Sequence, residues 1–224
     1  MEIGEMMDLF IRSLPLLLKG LEMTLHVLFF AASLSFTLGL LFGIFSSRRL
    51  KVPVITPLIE GMTFVLRAVP FYVQLMIVYF VLPDLLGFNL DPFPASVLAL
   101  GLCSSGYVAQ IVRAGINSIP VSQWEAAFAL GYSMPQSLRS IILPQMVRNV
   151  LPAFNNEFDS LLKSTSIVSS IGLLELTRAG MNLVSREMEP VPIYLMVALF
   201  YLCLSAIVNM TTRTLERKIT YVKS

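Results

Sequence analysis

Residues 27–47, VLFFAASLSFTLGLLFGIFSS, carry no charged side chain. A helix needs roughly 20 apolar residues to cross about 30 Å of hydrocarbon, so this run reads as a first membrane span. Residues 68–83 are also uncharged and extend back through Arg67 as a second span, and residues 94–112 give a third. Residues 190–212 give a fifth, and the longer, more polar stretch 145–174 between them reads as the fourth. The chain is 56% hydrophobic and 13% charged, against about 25% charged in average soluble domains. These features predict an all-α polytopic membrane protein of about five spans. They exclude a soluble enzyme, and the net charge of +2 gives no reason to expect a nucleic-acid partner.

Lys and Arg mark the cytosolic side of a membrane protein. Arg48, Arg49 and Lys51 follow the first span, Arg113, Arg139 and Arg148 bracket the segment before the fourth, and Arg213, Arg217, Lys218 and Lys223 follow the fifth. Glu2, Glu5, Asp8, Asp84, Asp91, Glu187 and Glu189 fall on the opposite side. The expectation is an N-terminus outside and a C-terminus inside. Residues 1–19 then form an extracytoplasmic segment, 20–213 the transmembrane domain and 214–224 a cytosolic tail. Cys103 and Cys203 lie in apolar runs and read as small buried hydrophobes. The acidic N-terminus lacks the basic start of a cleavable signal. His26 is expected at the outer end of span one. Ala31, Ser35, Gly39 and Gly43, four apart, form a ridge that lets another backbone approach closely, within the subunit or between subunits.

The segment Glu125–Pro144, EAAFALGYSMPQSLRSIILP, is polar by comparison. Ser122 followed by Glu125 has capping-box spacing, Gly131 supplies a left-handed helix stop, and Ser133 with Pro135 restarts a second helix that Pro144 is expected to close. The spacing of Glu125, Ala126, Ala127, Gly131, Ile141, Leu143 and Pro144 resembles the EAA loop of ABC-importer permeases. Further segments resemble the polar amino-acid branch of that family: Gly20-Leu21-Glu22-Met23-Thr24-Leu25, Arg67-Ala68-Val69-Pro70 with Gln74, Ile111–Ile116, Leu161–Ser166 and Glu175-Leu176-Thr177. Gln110 stands where that family often has Glu, Ala68 and Ala114 replace common glycines, and Asp159 sits where an apolar residue is usual.

The resemblance implies a type I importer fold and a permease for polar amino acids in the bacterial inner membrane. It implies a second permease subunit, identical or related, a cytosolic ABC ATPase dimer and an extracytoplasmic amino-acid-binding protein. The EAA loop would be the coupling helix, with Glu125, Ala126, Ala127, Phe128, Gly131 and Trp124 as its contact residues. Trp124 and Phe128, four apart, pack either into an ATPase groove, the reading the motif favours, or against the chain's own neighbouring helix. The chain has no GxxxxGK[ST] phosphate loop, so ATP and Mg would sit on the partner, and the chain itself would be no enzyme.

Arg148, Pro152, Asn155, Asp159, Lys163, Ser166 and Ser170 make one polar stripe along span four at helical spacing. Ionisable groups in a membrane face protein or a watery path. Asp159 and Lys163 are therefore either a structural ion pair or part of a substrate path with Glu157, Asn155, Asn156 and Gln74. Arg67 reads as a cytosolic-end anchor, or as a gating or inter-subunit contact. Two rival functions remain. A secondary transporter could carry protons on these acids, but has no use for a docking loop. An intramembrane protease needs a Ser and a His base, and His26 is the only histidine.

Overall fold

The computed structural model describes residues 3–220, with side chains described from Gly4 to Thr214. Glu2 and Lys223 lie outside the described residues, and the side chains of Arg217 and Lys218 are likewise undescribed. Every regular element among the described residues is a helix: α1 Ile3–Phe45, α2 Ile55–Ala68, α3 Phe71–Met76, α4 Leu82–Leu86, α5 Pro92–Asn117, α6 Val121–Ala129, α7 Met134–Ser137, α8 Leu143–Ser164, α9 Leu176–Glu187 and α10 Pro190–Thr220. Among the described residues three helices are long and apolar enough to cross a membrane alone, and the number rises to five if each bent pair counts as one span.

Several sequence boundaries are revised. The first span is not confined to 27–47: α1 is continuous for 43 residues, roughly 65 Å at 1.5 Å per residue. From Ile3 onward, the expected N-terminal segment is the beginning of this helix. His26 is exposed midway along it, not at an end. The second span does not run straight back through Arg67. Val69 is extended and Pro70 follows, because a proline pushes the residue before it out of the helical region. Arg67 therefore closes α2, and a new helical run starts at Phe71.

Pro144 does not end the second helix of the EAA segment. A π turn at Leu138–Ile142 joins α7 to α8, so helix runs on from Met134 to Ser164. Proline lacks an N–H and crowds the carbonyl four residues back. Here the residue before it adapts: the Leu143 N–H bonds the Leu138 carbonyl five residues back. The same device precedes Pro83, where a π turn at Ile77–Val81 ends with the Leu82 N–H on the Ile77 carbonyl.

The chain packs as two units. One comprises the described residues up to Ser33, with Pro70–Gly101 and Asp159–Val208; the other comprises Leu34–Val69, Leu102–Phe158 and the described residues from Asn209. In the first unit, Val27, Ala31, Leu75, Ala95, Leu162 and Val168 form one buried cluster, and Leu17, Leu176, Ala179, Leu183 and Ile193 form another. In the second unit, Val108, Val112, Ile116, Trp124, Ile142 and Met146 share a core. There the α1 ridge packs within the chain: a Cβ on Gly39 would lie 2.4 Å from Val108 Cγ1, and one on Gly43 would lie 2.5 Å from Val112 Cβ.

Candidate functional site

The EAA segment is built by two helix starts and one stop between them. α6 begins after Pro120, which sits at φ −55° and ψ 145° as its N-cap. Ser122 is thus already inside the first turn, and the expected Ser122–Glu125 capping box does not form. The box forms one helix later, where Ser133 caps α7 and the Gln136 side chain accepts from the Ser133 N–H at 2.9 Å. Between the two helices Gly131 adopts φ 80°. Its N–H donates to Phe128 O at 3.0 Å and the Tyr132 N–H donates to Ala127 O at 3.1 Å. These two bonds are the Schellman pattern.

α6 has two faces. Trp124 and Ala127 are buried, at 1% and 0% exposure. Glu125, Ala126 and Phe128 are exposed, and Val121, Leu130 and Tyr132 extend the same open surface. The expectation that Trp124 faces a docking groove is corrected. Its indole packs into the chain's own core, because it shares the inward side of the short helix with Ala127, and the Arg49 guanidinium lies 5.7 Å from its ring centroid.

The polar residues of α8 divide among different partners. In the second unit, the Asn155 amide donates to Asn209 Oδ1 at 2.8 Å. Glu157 accepts from Ser104 Oγ at 2.6 Å, and Ser104 accepts in turn from Ser35 Oγ at 2.8 Å. Asn156 is exposed and lines, with Glu157, Asn149, Gln110 and Tyr107, an open cavity of about 460 Å³. The residues flanking the stripe therefore line this cavity, and Asn155 does not. In the first unit, Lys163 Nζ lies 2.6 Å from Asp159 Oδ2, and Ser205 donates to the other Asp159 oxygen. Gln74 is half-buried on the first turns of α3.

Two polar groupings went unread in the sequence. Arg67 donates to Gln110 Oε1 at 2.7 Å and to Thr63 O at 3.2 Å, while Arg113 faces Glu60 at 3.5 Å. Glu175 is fully buried as the N-cap of α9. It accepts from the Thr177 and Arg178 N–H groups at 2.8 and 2.7 Å and from the Tyr201 hydroxyl at 3.1 Å. The Leu176 N–H donates to Thr24 Oγ1 at 3.1 Å, so the Gly20–Leu25 and Glu175–Thr177 segments meet. An acid just past Gly172 and just before a helix was the available signal.

The family described as binding-protein-dependent transport system inner membrane component matches residues 39–221. The chain belongs to this family. It is 36% identical to the arginine transport system permease protein ArtQ of Bacillus subtilis (strain 168), covering 93% of this chain and 94% of ArtQ. It is 34% identical to the glutamine transport system permease protein GlnP of Escherichia coli (strain K12), covering 92% and 94%. A crystal structure of an amino acid ABC transporter with histidines aligns at TM-score 0.84 and 33% identity, covering 93% of this chain and 96% of that one. The inward-facing MetNI methionine ABC transporter shares the fold, at TM-score 0.74 and 18% identity over 98% and 99%. As a member of this family the chain is a multi-pass membrane component that works with an ATPase and a binding protein.

Gly131→Leu is expected to strain the left-handed stop by about 1–2 kcal/mol. Hydrogen–deuterium exchange should then speed up at the amides of Leu130–Tyr132, with exchange in α5 and α10 unchanged. Unaltered exchange at 130–132 would count against the strained stop.

Proposed function

We propose that this chain is the permease subunit of an ATP-driven ABC importer of polar amino acids, with α6 as the helix that docks on the ATPase. The exposed α6 surface carries the reading. Glu125 and Phe128 lie on the open face of a helix whose other face is locked in the protein's own core, and Leu130 and Tyr132 continue the apolar surface. An exposed apolar patch around one charge suits a partner groove better than water. Similarity to permeases named for arginine and glutamine supports amino acids as cargo. ATP and Mg belong to the partner ATPase dimer. A second permease subunit completes the path, and an extracytoplasmic binding protein delivers the substrate. Closure of the ATPases would displace α6 and α7, and the unbroken helix from Met134 to Ser164 would carry that displacement to the polar residues of α8. Co-purification with a candidate ABC ATPase partner should yield a complex whose ATP hydrolysis rises with loaded binding protein and one of a panel of amino acids. A stable permease that retains no ATPase would sink the reading.

The proposed orientation is N-terminus outside and C-terminus inside the bacterial cytoplasmic membrane, from the Lys and Arg bias. Reporter fusions at residue 1 and at residue 224 should report opposite faces. Activity on one face for both would overturn the five-span topology.

We further propose that Asp159 takes part in the substrate path and favours a cationic amino acid or the substrate's ammonium group. Its side chain is 17% exposed while that of Lys163 is 64% exposed, so the acid is the more protected end of the pair. A structural pair and a substrate contact respond differently to loss of both charges. Removing a whole pair leaves no buried charge unpaired and is often neutral. The loss of a substrate contact of about 1.5 kcal/mol slows transport roughly tenfold. Asp159→Asn with Lys163→Met is expected to assemble but transport arginine, lysine or histidine about that much more slowly. Wild-type uptake by the double variant would assign the pair to structure alone.

A further inference from the structure

We infer that the α1–α2 connection is a mount for the coupling helix, and that Arg49 is the positioning residue that fixes α6 through Trp124. The inference rests on the reading of α6 as the docking helix. Trp124 is the only large residue on the inward face of α6, because the other buried position is Ala127. The rotation of α6 about its own axis, and hence what Glu125 and Phe128 present outward, is therefore keyed by one indole. Val112, Ile116, Ile142 and Met146 belong to the core that receives it. The guanidinium of Arg49 lies over its face, where the negative face of the ring attracts a cation.

The loop that carries Arg49 is held at several points. Ser47 Oγ donates to Ile44 O at 2.8 Å. The Arg48 N–H donates at 3.0 Å to Oδ1 of Asn117, the last residue of α5. The Val52 N–H donates to Thr56 Oγ1 at 2.9 Å, and that hydroxyl donates to Phe45 O at 2.8 Å, which ties the start of α2 to the end of α1. Next to this tie Val54 is held at φ 72°, a region that β-branched residues rarely enter and keep only where the surroundings over-determine the backbone. Two consecutive arginines thus hold the two sides of the α5–α6 turn: Arg48 holds the end of α5 by its backbone, and Arg49 holds α6 by its side chain. A loop serving only as a connector would need neither hold.

Trp124 is the only tryptophan in the chain, so its emission reads this contact directly in the purified full-length permease. Arg49→Met should red-shift that emission and raise its quenching by acrylamide. In the reconstituted importer the ATPase should remain bound, while substrate moved per ATP falls about two- to fivefold, the size of one exposed cation–π contact. Arg48→Met removes the same charge from the same loop without touching the indole and should match wild type in both readouts. Unchanged Trp124 emission and quenching in Arg49→Met would overturn the inference. So would unchanged coupling, or equal effects of the two variants. If Arg49→Met does not accumulate, Arg49→Gln tests the same loss with a polar stem. A wild-type complex that retains no ATPase overturns the docking reading and this one with it, whereas a coupled wild type with a normal Arg49→Met overturns this one alone.

Discussion

A backbone carbonyl or N–H without a partner costs several kcal/mol in hydrocarbon and less where water can reach it, and most places where this chain departs from a plain helix give the freed backbone groups a partner. α1 stops where Ser47 takes up the Ile44 carbonyl with both its N–H and its hydroxyl. Pro83 and Pro144 are each preceded by a π turn, so that the residue before the proline finds a carbonyl five positions back. At Gly131 the backbone itself closes the end of α6. At α9 a buried carboxylate, Glu175, satisfies two of the N–H groups at the helix start, and the Thr24 hydroxyl accepts a third from Leu176. Bends are therefore concentrated at a few positions, each with its own local solution.

Polar side chains in the second unit follow the same rule across helices. Ser35, Ser104 and Glu157 form a chain of hydrogen bonds from α1 through α5 to α8. The glycines at 39 and 43 let α1 come close enough to α5 for such short side chains to meet. Small residues and hydroxyls thus act together: the first permit the approach, and the second give it a direction. Hydrogen bonds between membrane helices contribute modestly, about 0.6–2 kcal/mol each. Their main effect here is to hold the Glu157 carboxylate at one edge of an open cavity.

The helical class, the apolar runs, the Gly131 stop and the restart at Ser133 and Pro135 were legible because each depends on local chemistry. An uncharged run, a glycine that can take a positive φ and a proline near a helix start all carry their meaning in a few neighbouring residues. The length of α1 was not legible. Residues 4–26 include Arg12, Lys19 and Glu22, which interrupt the apolar run without interrupting the helix. Pro144 was misread for a related reason: whether a proline ends a helix depends on the hydrogen-bond register before it, which composition does not reveal. Of the stripe on span four, Arg148 to Lys163 lie on α8, whereas Ser166 and Ser170 fall in a 3-10 segment at Thr165–Ile171, and the partners were not legible. Asn155 pairs with Asn209, 54 residues away, and Asp159 with Ser205, 46 away. The motif points to α6 as the proposed contact element, yet a motif names residues and not their facing, so the burial of Trp124 had to come from the fold.

The burial of Trp124 changes what the EAA pattern requires of its residues. On the proposed reading of α6 as the docking helix, it needs both a surface for its partner and a seat in its own chain. The nine residues of α6 divide these demands by face. Ala127 is fully buried, so a larger side chain there would push the helix off its seat. Ala126 is exposed, and its small size instead suits close approach by a partner. Adjacent alanines in one motif would thus be retained for opposite reasons, one internal and one external. Gly131 serves both demands: it ends α6 without a side chain, and its positive φ sends the chain into α7 and the long helical run beyond. The rigidity of the seat matters because a displacement absorbed at α6 would never reach α8. A bulky buried indole, a backbone-closed stop and the helical run from Met134 to Ser164 after it are what this short segment offers for that transmission.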